Sequence, residues 1–336
     1  MNVCLVGWSA LECWRRIRAL GKDFLAETME LATTTPYSGL KLSLSEKEAQ
    51  ELADQYGLSW PIQVAVDDSL RSRSRKYVTT KKASPADFKG SFVELAPGLY
   101  VLTPEYLFRW MSSELDVIDL VRLGNELCSL YAINHYRFDD LVDSLAITTV
   151  DRLLQCARLE GGHGNRRKMR CALRYVRERT ASPKESEMSM KFGLPHNYGG
   201  FNLWDHELNS TILLSEHAQK LAGKEFCRGD MYFEDGDVDV EYDSDEWHSD
   251  SDKRREDERR RKALEYDGHT VIPVGNSELK DAESLSLVAK TVCKEKGKRF
   301  RPQVPNYTSR QNALFKRFKD NPQFLRSCPA VCGQEQ

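Results

Sequence analysis

Polar and apolar residues alternate without interruption from Asp237 to Asp243. Val238, Val240 and Tyr242 therefore share one face of a strand, and Asp237, Asp239, Glu241 and Asp243 share the other. Like charges on one strand face repel, so that face calls for water, a basic partner or a cation. Phe226 to Phe233 reads as a strand carrying Asp230, and a tight turn at Asp235-Gly236 folds it back onto the acidic strand, which sets Asp230 and Glu241 on neighbouring strands. Thr211 to Leu214 predicts a short strand upstream, and His269 to Val274, after the helix stop at Gly268, predicts a closing one.

Helical spacing dominates elsewhere. Leu11 to Leu20, Val117 to Leu130 with Leu120, Leu123 and Leu127 inward, and Thr148 to Leu159 all predict helices. Thr103 caps a helix with Pro104 at its first position and Leu107, Trp110 and Met111 as its packing stripe; Ser182 and Pro183 repeat that start ahead of Glu185. Asp252 to Tyr266 is a charged helix with Ala263 and Leu264 inward, followed by helices over Ala282 to Cys293 and Tyr307 to Phe318. In the first part, Ile62 to Val66 reads as a strand and Phe92 to Leu102 as strand and turn, so the class is α+β.

The loop Gly161-Gly162-His163-Gly164 precedes NRRKMRCALRYVRERT, read as a helix burying Met169, Leu173 and Val176 while Arg166, Arg170, Arg174 and Arg177 fall on another stripe. Such a loop can offer backbone N–H groups to phosphate, but it lacks the GxxxxGK[ST] pattern and reads as a connection between domains. The arginine stripe is either a solvated face or a nucleic-acid contact. Arg71 to Lys76 is a short basic tract of the solvated kind.

The length of 336 residues suits two domains of about 100 to 200 residues. A formal net charge of −2 excludes a uniformly basic nucleic-acid coat but permits local patches. Nine cysteines without a CxxC pair indicate neither a zinc framework nor a secreted disulfide scaffold. The apolar opening MNVCLVGWSALECW lacks a basic lead-in and soon meets Arg15 and Arg16, so a cytoplasmic protein with no membrane span is expected.

Taken together, the SPKE of Ser182 to Glu185, the RGD of Arg228 to Asp230, the VEYD of Val240 to Asp243, His248, the D-x-x-R of Asp257 to Arg260 and the late GHTVIPV resemble the endonuclease-like domain related to very-short-patch-repair nucleases, within the PD-(D/E)XK superfamily. The resemblance covers roughly residues 166 to 295. SALECWRR, GLYVLTPEYLF and the following helix look like AbiEi-type antitoxin proteins, in which such a domain often stands C-terminal. The resemblance implies a restriction-endonuclease-like mixed sheet flanked by helices and an α+β antitoxin-like domain over residues 1–160; beyond it, 296–336 reads as a basic C-terminal tail with a helix.

It also implies a site. Mg2+ or Mn2+ would be held by Asp230 and Glu241, with Glu185 joining from the helix above and Asp243 standing where the superfamily usually has lysine. His248 is the acid/base candidate, Asp257 and Arg260 would orient it or contact phosphate, and Arg166, Arg170, Arg174 and Arg260 are the DNA-binding candidates. Two departures stand out: Ser244 replaces the family's usual glycine, and Asp230 to Asp252 contains no Lys or Arg. The expected function is metal-dependent hydrolysis of a DNA phosphodiester. The alternative is a non-catalytic DNA- or protein-binding regulator of toxin–antitoxin type, with a cognate toxin as partner. The tail helix either grips phosphate or packs on the sheet through Phe315 and Phe318, and packing is the preferred reading.

Overall fold

The computed structural model of the chain describes residues 2–36, 40, 43–67, 74–133, 141–243, 251–322 and 324, with the side chains of 141 and 251–254 excepted. The fold is α+β, with mixed sheets flanked by helices. Among the described residues no helix is long and apolar enough to cross a membrane. The chain divides into two compact units. One comprises 1–120, 132–170 and 321–336, the other 121–131 and 171–320.

The first unit contains β1 (Val3–Leu5), α1 (Gly7–Ala19), α2 (Lys22–Met29), β2 (Thr33–Thr34), α3 (Glu46–Tyr56), β3 (Ile62–Asp67), β4 (Val78–Ala83), α4 (Pro85–Phe88), β5 (Phe92–Ala96), β6 (Leu99–Leu102) and α5 (Pro104–Met111). Helix α6 (Val117–Leu127) and β7 (Tyr131–Ile133) run across the division, and β8 (Leu141–Asp143), α7 (Val150–Arg158) and α8 (Arg166–Ala172) follow. Its six-stranded sheet has the order β2-β5-β6-β1-β3-β4, with β1 parallel to β6 and antiparallel to β3. Strand β3 is buried from Ile62 to Val66, which explains why Ile62, Val64, Ala65 and Val66 are apolar on both faces, with Gln63 the one polar residue. Thr103 accepts a hydrogen bond from Tyr106 N and Pro104 opens α5, as the sequence predicts.

The second unit contains α9 (Pro183–Gly193), β9 (Glu207–Leu213), α10 (Glu216–Ala222), β10 (Phe226–Phe233), β11 (Val238–Asp243), α11 (Ser251–Tyr266), β12 (Thr270–Gly275), α12 (Asn276–Lys280), α13 (Ala282–Glu295) and α14 (Tyr307–Asp320). Its sheet order is β12-β11-β10-β9. Strands β9, β10 and β11 run antiparallel, with Met231 opposite Val240 and Phe233 opposite Val238. Helix α11 carries the chain across to β12, which is parallel to β11. One face buries Met231, Phe233, Val238, Val240 and Val274 with Met188 and Phe192 of α9, Leu285 of α13 and Phe315 of α14. The other face packs Ile212 and Cys227 against Ala218 of α10 and Ala263 and Leu264 of α11.

Three sequence expectations change. The helix read from Asn165 through Thr180 stops at Ala172: Tyr175 N and Val176 N both bond to Ala172 O in a closing turn, and beyond it Arg177 N bonds to Asn125 Oδ1 at 2.8 Å and Arg179 N to Cys128 O at 3.0 Å. Arg174 and Arg177 thus leave the stripe of Arg166 and Arg170. Those same bonds place residues 121–131 with the second unit instead of within a continuous 1–160 domain, and the Gly161–Gly164 loop lies inside the first unit, not between domains. Tail helix α14 is part of the second unit's core, burying Leu314, Phe315 and Phe318, in line with the packing reading. Helix α10 had not been expected between β9 and β10.

Candidate active site

The middle of the acidic face of β11 does not meet water. Asp239 is wholly buried and Glu241 is 8% exposed, because α11 covers that face of the sheet. The hairpin brings Asp230 of β10 alongside, where its Oδ2 accepts the Tyr242 N–H at 2.9 Å. Arg260 reaches in from α11: its Nη1 donates to Arg228 O at 2.7 Å, and its Nη2 lies 2.5 Å from Glu241 Oε1. That second contact has the closeness of an ion pair without the alignment of a hydrogen bond.

The surprising member is Asp239. As ionised acceptors, neither of its carboxylate oxygens meets a donor. Burial, the adjacent Glu241 charge, a carboxyl–carboxyl hydrogen bond to Glu241 and the Asp230 charge hold its proton well above the ordinary carboxylate range, while Arg260 opposes them. A proton on Asp239 lets it donate to Glu241, which is how the cluster remains neutral enough to bury. Gly229 makes the space: a Cβ there would stand 2.5 Å from Asp239 Oδ1.

Asp230 is pushed up to about 7 by burial, then by the Glu185 and Glu241 charges, against the Tyr242 N–H and Arg260. Glu185 feels burial most, offset by the Ala181 N–H at 2.8 Å, Asn209 Nδ2 at 3.1 Å and Ser182. Its position follows from the local sequence, since Ser182 accepts from Glu185 N at 3.1 Å and so fixes Glu185 in the first turn of α9. Arg260 remains charged: burial works against it, but Glu241, Asp230 and Asp239 together outweigh that and raise its pKa.

Asp230, Glu241 and Arg260 of the expected set therefore meet, and Glu185 acts on Asp230 through its charge while its own Oε2 is taken by Ala181 and Asn209. Asp243 is exposed at the end of β11, and Asp257 is exposed on α11. His248 lies outside the described residues. Arg260, expected on DNA, points instead into the carboxylate cluster. Sequence reasoning had put Asp239 on the acidic face without singling it out. Its period-two relation to Glu241 was visible, but its burial depends on α11 and Gly229, which no local pattern reveals.

No family model, no curated protein and no solved structure matches the chain. The fit of a divalent cation thus rests on the residues themselves. A buried carboxylate lacking donors is the oxygen ligand a hard cation takes, and Glu241 stands beside it. Against this, among the described residues no group of three or more His, Cys, Asp or Glu side chains is placed to hold a metal. The donor chemistry fits in kind, while a third ligand would have to come from Asp230 moving inward.

Proposed function

We propose that the second unit hydrolyses DNA phosphodiesters with the help of Mg2+ or Mn2+, acting in the cytoplasm. The observation that carries this reading is Asp239, a buried carboxylate without a hydrogen-bond donor, flanked by Glu241 and Asp230. Such a group costs several kcal/mol when ionised and unpaired, so a cation bound there would repay the burial. Asp239 and Glu241 would hold the ion, with Asp230 as third ligand, and the ion would offset charge developing on the phosphate oxygens. In the reaction a water oxygen would bond to phosphorus and release a proton to solvent, the ester P–O bond would break, and the leaving oxygen would take up a proton. Arg260 would stabilise the anionic phosphate once released from Glu241.

A second reading is favoured by that same Arg260. Because it already supplies a positive charge to Glu241, and because Glu185 Oε2 is taken by Ala181 and Asn209, the cluster can be complete without metal. The chain would then be a non-catalytic DNA- or protein-binding regulator of toxin–antitoxin type, with a toxin as a protein partner.

Cleavage of supercoiled and linear DNA by the full chain in Mg2+ or Mn2+, beside Asp239→Asn and Asp230→Asn, separates the two. Cutting by wild type that both variants lose supports hydrolysis. Equal inertness of all three, with no cation-induced rise in Tm, leaves the regulator.

A further inference from the structure

The glycine loop and the arginines that follow it form the wall of a cavity of about 700 Å³ in the first unit. Arg109, Arg166, Arg167 and Arg170 line it, and none of its lining residues is acidic. Four cations around one solvent-filled space repel one another unless something negative enters.

The floor is built tightly. Arg109 Nε donates to His163 O at 2.9 Å and its Nη1 to Leu159 O at 3.3 Å, while Asp87 Oδ1 accepts from His163 N. Gly162 and Gly164 have φ of +72° and +113°, conformations that suit glycine. A Cβ on Gly162 would stand 2.6 Å from Asp87 Oδ1, and one on Gly164 would stand 2.4 Å from Arg109 O. Asp87 and Arg109 thus flank Gly162.

The arginines of α8 are held more loosely. Arg166 has a loose contact of 3.9 Å with the exposed Glu160, and among the described residues no carboxylate lies in ion-pair range of Arg167 or Arg170. All three are exposed and free to turn toward the cavity. Ser113, on the same wall, adds a hydroxyl 2.6 Å from His163 Nε2, and the His163 ring stacks on Trp110 at 4.1 Å between centroids.

We propose that this cavity is a binding site for the phosphate group of a phosphorylated ligand. The guanidinium fork matches phosphate oxygens two at a time, and three such forks beside a fixed loop can converge on one phosphate. The site uses none of the residues of the carboxylate cluster and does not rest on the hydrolytic reading. Its phosphate could come from a small phosphorylated molecule or from a nucleic-acid backbone, since both present the same oxygens.

The test uses the full chain, sodium pyrophosphate and a fluorescein-labelled duplex DNA, without divalent cations. Trp110, stacked on His163, reports binding through its fluorescence. Pyrophosphate is expected to change that fluorescence saturably at constant ionic strength, and Arg166→Ala/Arg167→Ala/Arg170→Ala is expected to weaken it by about tenfold or more, since charged contacts are lost together. The substituted side chains are exposed, and circular dichroism and Tm check that the variant is folded.

If the duplex competes with pyrophosphate, and the triple variant lowers the salt slope of DNA binding by about 2 to 3, the phosphate is that of a nucleic acid. If pyrophosphate binds and the duplex does not compete, the ligand is a small phosphorylated molecule. Absence of any pyrophosphate response, or a response unchanged in the folded triple variant, overturns the proposal.

Discussion

Gly229 and Asp239 occupy one shared space across two strands: a Cβ on Gly229 would lie 2.5 Å from Asp239 Oδ1 and 2.8 Å from its Oδ2. The pair sets how the hairpin buries a carboxylate, and it makes a direct prediction. Gly229→Ala is expected to cost about 1 to 3 kcal/mol in urea unfolding, as overpacking does in a filled core. Adding Asp239→Ala should recover a large part of that loss. If the double variant is no more stable than Gly229→Ala alone, the close approach is not what constrains residue 229.

Arg260 and Glu241 predict an asymmetric pair of effects. Arg260→Gln leaves a buried carboxylate without its cation and is expected to cost about 2 to 4 kcal/mol, whereas Arg260→Gln/Glu241→Gln should cost much less. Chemical denaturation of the four proteins in a double-mutant cycle measures the coupling. Additive losses would show that the pair contributes nothing as a pair.

Asp230 makes the cluster sensitive to pH in a defined direction. Its folded pKa of about 7 lies above the ordinary 3.8, so the folded state keeps a proton that the unfolded state releases. Stability from this group is fully present below about 3.8 and is lost as pH rises through about 7, by linkage on the order of 2 kcal/mol or more. Asp230→Asn, which still accepts from Tyr242 N, should flatten that slope in metal-free buffer. A thermal unfolding series from pH 5 to 8 reads it, and parallel curves for both proteins would refute it.

His206 pulls the other way. Burial first, then Arg177, push it down to about 4, and its ring bonds Ser189 Oγ at 2.8 Å and Leu203 O at 2.9 Å. Between about 6.5 and about 4 the unfolded chain takes up a proton that the folded chain refuses, so stability falls as pH drops through that window, by about 3 kcal/mol at most. His206→Gln should lose this acid-side dependence, and comparing Tm at pH 7 and pH 5 checks it. An unchanged difference between the two pH values would place the dependence elsewhere.

The local elements were legible where side-chain spacing and caps carry the information. Ser182 with Pro183 starts α9, Thr103 with Pro104 starts α5, and the alternation around Val240 makes β11. These depend on bonds within a few residues of each other. The Asp235-Gly236 turn likewise implied the hairpin that brings Asp230 beside Glu241.

Tertiary structure decided what the acids face. A period of two says that Asp239 and Glu241 point the same way, but only α11, Gly229 and Arg260 determine that this way is inward, and burial is what raises a carboxylate pKa. It also decided the path after α8, because Asn125 and Cys128, some fifty residues earlier in the chain, accept the Arg177 and Arg179 N–H groups. It closed the Gly161–Gly164 loop onto Asp87 and Arg109, and it drew Phe315 into the core beside Lys191, whose Nζ lies 4.0 Å from the ring centroid. Residue patterns therefore determined many of the segments that become helix or strand, α10 and the end of α8 excepted, since those interactions are short in sequence. Charge environment and domain membership arise from groups far apart along the chain, and the folded arrangement alone brings these together.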